Sequence, residues 1–198
     1  MKTKVIVVML LAVLGLNNGY ANELYLDQSG DGATIDLLQE GSGNKIGGSE
    51  QSPFVLNGNS QTVDIKQQGD SNTLTGSITG DSLSVTNYVT GSSNTQSINC
   101  TDCSGATILN NITGDNNTTT QTLGAGQNQY SKFTITGDNN VVSHTASDGN
   151  HKADITVTSP SGNLLTNTIS VTQSGVAQQQ AIVNASGSGI NLTINQRQ

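Results

Sequence analysis

Aromatic residues make up only 3% of this 198-residue chain, tryptophan is absent, and hydrophobic residues of all kinds reach 32%. That is too little apolar mass for a thick globular core, so any fold must work with a thin interior. Charge is scarce as well, with 11% charged residues and two prolines. Disordered chains pair low hydrophobicity with dense charge and many prolines, so this composition argues against simple disorder. Basic residues are the rarest, seven against fourteen acidic, for a net charge of −7, which disfavours nucleic acid and anionic membrane as partners. What fills the chain instead is Asn, Gln, Ser, Thr and Gly, residues suited to turns and to amide or hydroxyl ladders between stacked strands.

Long apolar runs are absent except for one. Residues 1–21 read as a signal peptide: Lys2 and Lys4, an apolar run from Val5 to Leu16, then Gly19 and Ala21 ahead of Asn22. The run is short of the roughly twenty residues that span a bilayer as a helix, so a membrane anchor is the weaker alternative. The expected mature chain is a single domain over residues 22–198 with no membrane insertion. Losing Lys2 and Lys4 takes the net charge from −7 to −9.

Helical periodicity is missing beyond the leader. A Gly-x-x-Asn turn recurs at Gly41 to Asn44, Gly69 to Asn72, Gly91 to Asn94, Gly114 to Asn117 and Gly137 to Asn140. Counting Leu83, Ala106, Asn128, Asn150, Asn163, Gln178 and Ile190 as the same turn position places turns about 10 to 15 residues apart, one short strand plus one tight turn each. Between them apolar residues alternate with polar ones, as in Ile35 and Leu37, Val63 and Ile65, or Ile169 and Val171. The fold class predicted is all-β: a β-solenoid of strand-turn-strand repeats, roughly 22 residues and two facing strands per turn, about eight turns in all. The stretch from Ile46 to Gly58 breaks the pattern and is expected to be a loop, and the weaker periodicity after His144 a degenerate repeat.

Parity places Gln28, Gln39, Gln67 and Gln173 inward, each two residues after an apolar residue. A second class of arc carries Ile78, Val89, Ile112 or Ile135 in that slot, each followed by Thr and Gly, and Asn87 and Asn110 also point inward. An unpartnered buried amide costs about 1–3 kcal/mol, so these six residues are expected to form a structural ladder between rungs stacked about 4.8 Å apart.

The segments Leu24-Tyr25-Leu26-Asp27-Gln28-Ser29-Gly30, Ile35-Asp36-Leu37-Leu38-Gln39-Glu40-Gly41-Ser42-Gly43-Asn44 and Val63-Asp64-Ile65-Lys66-Gln67-Gln68-Gly69-Asp70-Ser71-Asn72 resemble curlin repeats, with a partial fourth at Gln173-Ser174-Gly175. That family carries Gln-x-Gly-x-x-Asn after alternating apolar residues. The resemblance implies a secreted subunit, major or minor, that self-associates into cross-β fibres serving adhesion and biofilm matrix, with a dedicated secretion channel and a nucleator as partners.

Chemistry-bearing residues are few. Cys100 and Cys103 form a lone Cys-x-x-Cys, read first as a local disulfide, with free thiols or metal or redox chemistry as alternatives; a zinc site would need more ligands. His144 and His151 are expected on solvated loops. Asp70, Asp81, Asp115 and Asp138 follow turn glycines, where the side chain would bond the backbone two residues on rather than hold calcium. No catalytic, cofactor or metal site is expected. The alternative function is a monomeric or oligomeric surface adhesin or ice-binding solenoid using Thr79, Thr90, Thr113 and Thr136 as a flat rank.

Overall fold

The structure, a computed structural model, describes residues 6–8, 23–24, 26–47, 54–124, 128–147, 149–159, 167–175, 179–187 and 189–197. It is an all-β solenoid of about six turns with about 23 residues per turn, somewhat fewer turns than the sequence spacing suggested. One sheet runs through β1 (Ile6–Val8), β3 (Thr34–Leu38), β5 (Thr62–Lys66), β7 (Ser84–Tyr88), β9 (Thr107–Asn111), β11 (Gln129–Ile135), β12 (His151–Thr158) and β14 (Gln180–Ser186). The facing sheet holds β2 (Asp27–Ser29), β4 (Phe54–Asn57), β6 (Gly76–Thr79), β8 (Ile98–Thr101) and β10 (Gln121–Leu123). A third pairs β13 (Thr168–Ser174) with β15 (Asn191–Arg197). Every pairing is parallel.

The extended segment 141–147 joins the two smaller sheets: Thr145 N–H donates to the Gln121 carbonyl at 3.3 Å and His144 N–H to the Ser170 carbonyl at 3.0 Å. Strands form where side chains alternate between seam and solvent, as in Val63 and Ile65 buried against exposed Thr62 and Lys66. The alternation suits a pleated strand buried on one face.

The chain turns through left-handed residues after each turn glycine: Ser42 (φ 85°), Asp70 (76°), Ser92 (90°), Asp115 (79°) and Asp138 (72°). Short polar side chains tolerate that region better than bulky ones. At the opposite turn Gly80 is indispensable: its φ is 131°, and a Cβ there would lie 2.1 Å from the Gly58 carbonyl oxygen.

The loop expected from Ile46 to Gly58 is shorter than anticipated, because Phe54–Asn57 form β4; residues 48–53 lie outside the described residues. Of the expected leader, Ile6–Val8 pair with Thr34–Asp36, and the rest of residues 1–21 lies outside the described residues. No helix among the described residues is long and apolar enough to cross a membrane.

Candidate functional site

The interior of the solenoid is where its polar chemistry collects. All six amides expected inward are buried: Gln28, Gln39, Gln67, Gln173, Asn87 and Asn110. They do not form one ladder, because they are divided between the two faces of the seam. Gln39 and Gln67 share a column, Gln67 Nε2 donating to Gln39 Oε1 at 3.1 Å. Gln28 lies on the other face opposite Leu56 and donates to the Ser29 carbonyl at 3.3 Å. Gln173 belongs to that second face too and bonds Gln196 of β15 at 3.2 Å. Asn87 and Asn110 lie opposite each other, but their strongest bonds cross the seam: Asn87 to Gln96 Oε1 and Asn110 to Gln121 Oε1, both at 2.7 Å. Gln121 passes the network on to Ser131 Oγ at 2.5 Å. This belt lies between one apolar cluster that contains Val85 and Ile108 and another that contains Val89 and Ile112.

The continuous ladder is built by the turn asparagines instead. Asn72 Nδ2 donates to Asn44 Oδ1 at 2.8 Å, Asn94 to Asn72 at 2.7 Å and Asn117 to Asn94 at 2.6 Å. Asn140 donates to Asn117, and Asn167 to Asn140 at 2.5 Å. Asn44 Nδ2 closes the first end on the Glu40 carbonyl at 2.6 Å. All six asparagines are buried, and every Nδ2 bond within the column points to the preceding rung, so the amide dipoles align and reinforce one another. The recurring Gly-x-x-Asn was the signal for this column. As a turn marker alone it gives no sign of a ladder, which requires the Asn side chain to point inward from the corner.

The acidic turn residues staple neighbouring rungs rather than their own turns. Ser42 N–H donates to Asp70 Oδ2 at 2.5 Å, Ser92 N–H to Asp115 Oδ1 at 2.8 Å and Asp115 N–H to Asp138 Oδ1 at 2.9 Å. At the opposite turn Ser104 N–H reaches Asp81 Oδ1 at 3.2 Å. The expected bond two residues along the same turn gives way because stacking presents an adjacent rung's N–H to the carboxylate, the preceding rung's for Asp70, Asp115 and Asp138 and the following one's for Asp81. Asn128 and Asn150 likewise bond across rungs at 3.1 Å, yet the buried corner positions beside them belong to Gln129 and His151; Asn163 and Gln178 lie outside the described residues.

Cys100 and Cys103 are joined as a disulfide, with both side chains buried. His144 and His151 are not on solvated loops: both are buried, at 0% and 1% exposure. The parity of segment 141–147 turns His144 inward, and His151 opens β12 at an inward corner. The threonines do not form one rank, since Thr79 faces out of the second sheet opposite Thr101. Thr90, Thr113 and Thr136 do stack, linked by Gly114 N–H to the Thr90 carbonyl and Gly137 N–H to the Thr113 carbonyl, both at 2.9 Å.

A depression of about 620 Å³ beside β11 and β12 is lined by Gln129, Tyr130, His151, Lys152 and Gln180 among others, with no carboxylate among the described residues of its lining. Among the described residues no group of three or more His, Cys, Asp or Glu is placed to hold a metal ion.

The last feature is an open edge. β14 and β15 end their sheets, and Leu192 (48%), Ile194 (39%) and Ile182 (39%) are exposed there. Leu192 and Ile194 continue the columns of Ile169 and Val171, so the seam is uncovered at that edge among the described residues. No family model, curated protein sequence or solved structure matches the chain.

Proposed function

We propose that this chain is a secreted structural subunit, major or minor, of curli-like extracellular amyloid fibres that serve adhesion and biofilm matrix. The observation that carries this reading is the pairing of a buried, parallel amide ladder with an edge strand, β15, whose Leu192, Ile194 and Gln196 repeat the register of the strand beneath. Unpaired edge strands with apolar side chains template further pairing. On this reading the protein is not an enzyme, its first partner is a second copy of itself, and a secretion channel and nucleator serve its export and assembly.

The test is to dilute residues 22–198 from denaturant and follow thioflavin T fluorescence and electron microscopy, with and without preformed seed. Fibres are expected for the unaltered chain, and a folded monomer without fibres for Leu192→Lys with Ile194→Lys, since edge lysines block strand addition. A stable β-rich monomer that ignores seed would overturn the reading.

One observation favours the alternative of an adhesin or ice-binding solenoid: Thr134 and Thr136 lie beside Thr156 and Thr158, Thr134 paired with Thr156 in register. Thermal hysteresis in ice growth, lost on Thr134→Val with Thr156→Lys, is the outcome that would move the conclusion there.

A further inference from the structure

The seam of the solenoid between Thr62 and Leu123 holds no titratable side chain, whereas the next rungs hold two. Segment 141–147 threads between β10 and β13 with Val142, His144 and Ala146 buried. His144 is fully buried, with the Gln173 amide beside its ring. His151, equally buried, begins the strand on the facing sheet and stacks on Gln129 of β11.

Among the described residues, everything else that faces this pair is uncharged. The inward residues are Gln121 and Leu123 from β10, Ser131 and Phe133 from β11, and Val171 and Gln173 from β13. The ionisable groups of the neighbouring strands, Tyr130, Lys132, Lys152 and Asp154, alternate onto the outer surface, where Lys152 lies 5.3 Å from the Tyr130 ring. Arg197 ends the exposed β15.

We propose that His144, buried beside His151, is an acid-operated latch, in which its uptake of a solvent proton opens the rungs from segment 141–147 through β15 while those from β4 to β9 stay closed. The inference goes beyond the fibre reading and holds for a monomer equally.

The thermodynamics fix its direction. Burial first, and the nearby His151 second, push the His144 pKa down to about 4, with the Gln173 amide opposing. In an opened segment the same ring titrates near 6.5. The open state therefore binds more protons between those values, so the closed state is fully stabilised above the upper one and loses that stabilisation as pH falls toward the lower. With those two values a single histidine raises the opening constant about fortyfold between pH 6.5 and pH 4.5.

Hydrogen exchange read by mass spectrometry on the full chain, corrected for the intrinsic pH dependence of exchange, tests this directly. Protection over 141–159 and 167–174 is expected to fall about sixtyfold from pH 7 to pH 4.5, with residues 62–111 little changed. In His144→Leu that regional fall should largely disappear. Loss of protection spread evenly over both regions, or a regional fall that persists in His144→Leu, would overturn the latch. Should His144→Leu not fold, the ring-proton titration of His144 in the unaltered chain decides: a midpoint well below 6 supports the latch and one near 6.5 overturns it.

Discussion

The rungs from Thr62 to Leu123 and those from segment 141–147 onward are built on one plan and filled differently. In the first region rungs repeat at separations of 22 and 23 residues, as the bonds from Asn94 to Asn72 and from Asn117 to Asn94 record, and amides bond one another within an aliphatic seam. In the second, a separation of 27 residues appears between Asn140 and Asn167, two histidines replace amide or aliphatic positions, and the last strands leave their seam open. Regular stacking thus tolerates polar interiors when the groups are neutral and paired. It becomes conditional where the interior includes a group that gains charge.

The sharpest way to break the comparison is at the glycines. Gly80→Ala should cost about 4 kcal/mol or more, because backbone lies 2.1 Å from the new Cβ. Gly187→Ala meets Ser159 only at 3.0 Å and should cost about 1–2 kcal/mol. Urea midpoints followed by circular dichroism would separate the two; equal losses would mean that both regions are packed alike.

Acid comes next. Between pH 7 and pH 4.5 the His144 region should lose about 3 kcal/mol at most, as judged by the pH dependence of the urea midpoint. Asn94→Ala strands the Asn72 oxygen and the Asn117 amide, both buried, and should cost about 2–4 kcal/mol, whereas Asn167→Ala, at the ladder's end, should cost about 1–2 kcal/mol. A similarly small effect is expected from Cys100→Ser with Cys103→Ser, judged by the same urea midpoint. The disulfide spans a sequence separation of three, and so short a loop contributes about 1–2 kcal/mol.

Much of the fold was legible because a solenoid repeats its chemistry. The alternation of Val63 and Ile65, and the spacing of Asn72, Asn94 and Asn117, specify parallel strands of one length joined by similar turns. Parity correctly turned Gln39, Gln67, Asn87 and Asn110 inward. What remained hidden depended on which face of the seam each position shares. Gln28 and Gln39 have the same local pattern, yet belong to opposite sheets. The carboxylate of Asp115 reads as a turn residue until the preceding rung presents the Ser92 N–H. His144 looked solvated because its segment lacks apolar neighbours in sequence; its burial comes from β10 and β13, which lie far from it along the chain.

The asparagine column has a direction, since each amide donates toward the preceding rung, and Asn167 Oδ1 at its far end has no partner. A contact that prolongs such a column joins unlike surfaces, donor end to acceptor end, and a twofold axis would instead set like against like. Symmetric dimers are therefore excluded as a way of continuing it. A translational, head-to-tail repeat is the arrangement that would continue it, with no geometric reason to stop at a fixed number of copies.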